Sequence, residues 1–118
     1  ELDEALNHHK EALEIDREIG YRQGEANALG NMGLIYSDKG ELDEALNHHK
    51  EALEIDREIG YRQGEANALG NMGLILKNCG RETEALTYLN ESLKIFDAIG
   101  LLKEAEIINY HILQICLK

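Results

Sequence analysis

The sequence predicts an all-α repeat protein, with six helices folded as antiparallel hairpins that stack into a solenoid. Three observations carry that prediction. Residues 1–35 and 41–75 are the same string, ELDEALNHHKEALEIDREIGYRQGEANALGNMGLI, so the 118-residue chain has a strict 40-residue period. Glycine punctuates it about every twenty residues, at Gly20, Gly40, Gly60, Gly80 and Gly100. Between the glycines, apolar residues recur at helical spacing in a chain that lacks proline and is rich in Ala, Leu, Glu and Lys. A hairpin of this size cannot bury its apolar face alone and has to stack on its neighbours, so residues 1–118 read as one repeat domain of units 1–40, 41–80 and 81–118.

Glycine at the left-handed position that ends a helix sets the boundaries, placing helices near 1–19, 22–38, 41–59, 62–78, 81–99 and 102–117. In the first, Leu2, Ala5, Leu6, His9, Ala12, Leu13, Ile15 and Ile19 share a broad stripe opposite Asp3, Asn7, Lys10, Glu11, Glu14 and Glu18. The third helix repeats it, with Glu41, Asp43 and Glu44 at the end where the helix dipole favours acids. The fifth keeps only Glu84, Ala85, Leu86, Glu91, Leu93, Ile95, Ile99 and Gly100 of its counterpart, and most of those lie on the stripe. The copies thereby separate packing positions from decoration.

The even helices differ. Ala26, Ala28, Leu29, Met32, Gly33, Ile35 and Tyr36 fall on one side of the second, and Gln23, Asn27, Gly30, Asn31, Ser37 and Asp38 on the other, with Leu34 amid the polar side. Gly24, Gly30 and Gly33 inside one helix each cost about 1 kcal/mol relative to alanine, so close approach between helices is the expected compensation at all three. In the sixth helix Leu101, Leu102, Ala105, Ile108, Ile112, Leu113, Ile115 and Cys116 form an apolar arc wider than one preceding hairpin covers. Ile108, Ile112 and Ile115 are therefore expected to mediate self-association, making a homo-oligomer through open solenoid ends.

The net charge of −11 is concentrated on the odd helices: residues 1–19 carry seven acids against two bases, while residues 20–40 balance. An acidic chain without a basic cluster argues against nucleic acid or an anionic membrane surface as partner. No apolar run reaches the roughly eighteen residues that cross a bilayer, which points to a cytoplasmic protein. Cys79 and Cys116 lack metal-type spacing and read as reduced thiols. The chain opens mid-pattern at Glu1, as a piece of a longer array or an engineered repeat does.

The run Leu29-x-x-Met32-Gly33-x-x-Tyr36-x-x-x-Gly40, followed by Ala45, Ala52 and Leu53, resembles the tetratricopeptide signature. It recurs as Leu69, Met72 and Gly73 with Ala85, with Leu76 for the tyrosine and Ser92 for the second alanine. HEAT repeats have a similar period, but the glycine and alanine placement favours the tetratricopeptide reading. The 40-residue period and Arg57 in place of the usual closing proline resemble the long variety of Leu-Gly-Asn-repeat and kinesin-light-chain arrays. The resemblance implies a right-handed superhelix in which helices 22–38, 62–78 and 102–117 line the concave groove and the acidic helices face outward. It implies a protein or peptide partner.

On the groove helices the candidate binding residues are Asn27, Asn31 and Leu34, their copies Asn67, Asn71 and Leu74, then Lys77, and in the last helix Tyr110, His111 and Gln114. Leucine would bury a ligand side chain while the amides bond its backbone, and tyrosine is a favoured interface anchor. Some family members grip a terminal carboxylate with several bases beside an asparagine. Asn31 and Asn71 fall where one such asparagine is expected, yet only Lys77 and Lys118 supply charge. Adjacent histidines at 8–9 and 48–49 point about 100° apart on a helix, and the third unit has Tyr88 and Leu89 there, so metal binding is not expected. Asp16 and Asp56, where the third unit has Phe96, either reach solvent or pair with a neighbour. No activated nucleophile, carboxylate pair or phosphate loop occurs, so neither catalysis nor a cofactor is expected. The expected function is a protein interaction module, with a structural or self-associating scaffold as the alternative.

Overall fold

The computed structural model describes residues 1–118. Six helices follow in order: α1 (Leu2–Ile19), α2 (Arg22–Asp38), α3 (Leu42–Ile59), α4 (Arg62–Asn78), α5 (Glu82–Ala98) and α6 (Leu102–Cys116). There is no strand. The fold is an all-α helical repeat, with helix ends within about a residue of those expected. The five positive-φ residues are the five punctuating glycines, such as Gly20 at 74° and Gly80 at 80°, a conformation that a Cβ would strain. The chain divides into two compact units, Glu1–Tyr61 with α1–α3 and Arg62–Lys118 with α4–α6.

In the first unit α2 packs against α1 and, more extensively, against α3. Leu6 and Leu13 from α1, Ala26, Ala28, Leu29, Met32 and Ile35 from α2, and Ala52 and Ile55 from α3 make one buried cluster. Two glycines of α2 admit neighbours as expected. A Cβ on Gly33 would lie 2.7 Å from His49 Nε2, and one on Gly24 would lie 2.6 Å from Asp16 Oδ2. Asp16 thus sits against the bare backbone of α2, and Asp56 is buried. Gly30 corrects the expectation, because nothing comes within 4 Å of where its Cβ would stand. Its helical cost is therefore not offset by close packing. Arg22 reaches Glu58 on α3 at 2.7 Å while also holding Glu25, which is buried, and Lys39 meets Asp3 at 2.6 Å.

Identical sequence does not give identical burial. In α3, Ile55 is 5 % exposed and His49 1 %, whereas the same residues of α1, Ile15 and His9, are 57 % exposed and half-buried. The difference is environmental: α2 covers Ala52 and Ile55 of α3, and the matching stripe of α1 is open along Ala12, Ile15 and Ile19.

In the second unit α5 packs between α4 and α6, which touch each other along a narrow line. Leu89 lies over Gly73 as His49 lies over Gly33, since a Cβ there would meet its Cδ2 at 2.7 Å. The Ser92 hydroxyl, fully buried, donates to the Ala66 carbonyl at 2.8 Å, so the polar replacement for Ala52 is satisfied. Ile108 approaches Gly70 from α6, where an added Cβ would be 3.0 Å from its Cδ1. Ile108, Ile112 and Ile115 are all buried inside this unit. They form no exposed surface, because the face of α6 toward α4 and α5 claims them. The apolar residues that α6 does expose are Leu102, Ile107, Tyr110, Leu113 and Cys116, with Leu117 exposed just past its end.

Candidate functional site

The side-by-side placement of α4 and α6 builds a concave feature in the second unit. Along α4, Asn67, Asn71 and Leu74 recur at steps of four and three, which puts them on one helical face. Along α6, Glu104, Ile107, His111 and Gln114 do the same. Between the two helices lies a cleft of about 180 Å³, lined by Ala66, Asn67, Gly70, Asn71, Leu74, Phe96, Glu104, Ile107 and Ile108. Leu74 and Asn71 are half-buried in it, and Ile107 stands at its rim 56 % exposed. The glycine at 70 matters, since a side chain there would push Ile108 away and spread the walls.

Toward the C-terminal ends of the same helices a polar network forms. The Lys77 ammonium donates to His111 Nδ1 at 3.0 Å and to Gln114 Oε1. Gln114 Nε2 in turn donates to the Tyr110 hydroxyl at 2.8 Å, and the Tyr110 ring meets His111 edge-on with centroids 5.4 Å apart. Accepting from an ammonium requires the Nδ1 lone pair, so the His111 ring carries its proton on Nε2. Burial, and secondarily the Lys77 charge, hold its pKa below the usual imidazole value. Lys77, Tyr110, Gln114, Leu113, Leu117 and Lys118 border a wider open hollow of about 590 Å³.

Of the residues expected from sequence, Asn67, Asn71 and Leu74 come together in the cleft, and Lys77, Tyr110, His111 and Gln114 come together in the network beside it. In the first unit Asn27, Asn31 and Leu34 share the equivalent face of α2, with Leu34 47 % exposed. The cleft also takes in Ala66, Gly70, Phe96, Glu104 and Ile108, which the groove-helix pattern does not single out. For the last three the signal lies in the third unit's departures, where Phe96 replaces Asp56, Glu104 replaces Gly64 and Ile108 replaces Ala68. The histidine pairs divide as expected. His48 Nδ1 bonds the Glu44 carbonyl at 2.8 Å and its ring lies 4.8 Å from Tyr36, while His49 is buried.

Helix pairs repeated at 40 residues, with small residues at their crossings and an open face on the even helices, define a helical-repeat protein. Tetratricopeptide repeat patterns match residues 1–58 and 66–98, and the chain belongs to the tetratricopeptide repeat family. The second match spans the α4–α5 hairpin. No curated protein matches the chain as a relative. No helix is long and apolar enough to cross a membrane. Repeats of this family are in general protein–protein interaction modules.

Proposed function

We propose that the chain is a protein-interaction module that holds a peptide or helix of a protein partner on the faces of its even helices, binding it rather than transforming it. The observation that carries this reading is the α4–α6 cleft, where Leu74 and Ile107 offer apolar surface beside the exposed or half-exposed amides of Asn67 and Asn71. Apolar contact supplies affinity and the amides bond a backbone that any peptide presents. The duplicated Asn27, Asn31 and Leu34 offer the same chemistry on α2. The 40-residue period and Arg57 at the closing position support the long-repeat variety of the family. Selection of phage-displayed peptides on the chain tests the reading. Enriched peptides should lose at least tenfold in affinity to the Leu34→Asp, Leu74→Asp double variant, with its helicity unchanged by circular dichroism; equal binding to both proteins overturns it.

One observation favours self-association as a second reading. The stripe of α1 is open at Ile15 and Ile19 although the same residues pack in α3 or stand half-covered at its end. Oligomers by light scattering that Ile15→Glu disperses would support it, and a monomer at millimolar concentration would remove it.

A further inference from the structure

Two half-buried charges on the α4–α6 face have no opposite charge beside them. Lys77 is held by His111 and Gln114, both neutral acceptors. Glu104 lines the cleft and makes no hydrogen bond or ion pair. Of the other cations of the unit, Arg62, Arg81 and Lys118 pair with Glu65, Glu84 and Glu82, and Lys94 and Lys103 stand exposed to water. Lys77 and Glu104 each sit in a terminal turn whose dipole suits the sign, which explains how the free protein tolerates them. They do not neutralise each other. His111 and Gln114 stand seven and ten residues beyond Glu104 on α6, so at 1.5 Å per residue Lys77 lies about 10–15 Å along the axis from Glu104. Leu74, Asn71 and Ile107 occupy the interval.

Building on the binding-module reading, we infer that this cleft selects a segment of a protein partner with a fixed order of chemistry: a basic side chain at Glu104, an apolar one on Leu74 and Ile107, and a carboxylate side chain at Lys77 beside Tyr110. The carboxylate belongs to a residue within the segment, so a free C-terminus is not required. In an extended peptide, at about 3.3 Å per residue, four residue steps span the distance. A charge-ordered cleft also explains how an acidic protein would hold a partner in one direction rather than by general attraction to bases.

The test uses three blocked peptides titrated into the full chain and followed by NMR shifts of the Leu74 and Ile107 methyl groups: acetyl-Lys-Ala-Leu-Ala-Glu-amide, acetyl-Lys-Ala-Leu-Ala-Lys-amide and acetyl-Ala-Ala-Leu-Ala-Ala-amide. The first should bind roughly three- to fivefold more tightly than the uncharged peptide for each charge satisfied. Lys77→Glu should reverse the preference toward the dicationic peptide, and the Lys77→Glu, Glu104→Lys double variant should recover the first peptide bound in the opposite direction. All variants change solvent-facing or half-exposed residues, and circular dichroism checks their fold. If all three peptides shift Leu74 and Ile107 with equal affinity and Lys77→Glu changes nothing, the charge order is wrong while the binding cleft stands. If none shifts those methyl groups at millimolar concentration, both the cleft and the charge order fall.

Discussion

His49 is the residue at which this fold is most exposed to its solvent conditions. Its ring lies over Gly33, 1 % exposed, with neither nitrogen hydrogen-bonded. Burial, and to a lesser degree the neighbouring His48, push its pKa from 6.5 down to about 4. The folded state therefore holds it neutral, and the unfolded chain takes the proton more readily. Its contribution is complete above pH 6.5 and is lost as pH falls from there toward 4, about 3 kcal/mol in all. Urea unfolding at pH 7.5 and 4.5 should show that loss, and His49→Leu, which copies Leu89 over Gly73, should abolish most of it. The glycines of α2 give a paired prediction. Gly30→Ala, facing open space, should raise stability by about 1 kcal/mol. Gly33→Ala, which drives a Cβ into the His49 ring, should lower it by about 1–3 kcal/mol. Thermal melts of the two variants should move in opposite directions.

Among the elements, α1 and α3 show what patterning can and cannot reveal. Both carry the same stripe, so both were legible as amphipathic helices with the same boundaries. Burial was not legible, because it depends on which neighbour covers the stripe rather than on the stripe itself. The consequence is measurable: Ile55→Glu places a charge in the α2–α3 cluster and should cost more than about 3 kcal/mol, while the equivalent Ile15→Glu on α1 should change stability by less than about 0.5 kcal/mol. The same reasoning applies to α6. Its apolar arc is wider than one preceding hairpin covers, yet Ile108, Ile112 and Ile115 face inward and the exposed share of the arc falls to Leu102, Leu113 and Cys116. Angular position alone did not say which part of the arc α4 and α5 would take. The candidate site divides in the same way. Asn67, Asn71 and Leu74 were legible because a leucine amid amides recurs unchanged in two copies. Glu104 and Phe96 were not, since each first appears as a departure from the repeat and only side-by-side packing turns departures on α5 and α6 into walls of one cleft.

For the molecule as a whole, the repeat solves a packing problem and leaves the faces of the even helices and the stripe of α1 open. The odd helices α3 and α5 spend most of their apolar residues on neighbours and present acids to water, while α1 leaves Ile15 and Ile19 open; the even helices use glycine and alanine at their crossings and leave leucine, isoleucine and asparagine exposed. A net charge of −11 then works against indiscriminate attachment to nucleic acid and leaves recognition to local features of the even helices. On the proposed reading a partner docks on the faces of the even helices. The most direct test is a methyl NMR map of a phage-selected peptide bound to the whole chain. The largest shifts should fall on Leu74, Ile107 and Ile108, with Ile15, Ile19, Leu102 and Leu117 unmoved. Shifts gathered instead on Ile15 and Ile19, with the Leu74 methyl groups silent, would contradict it.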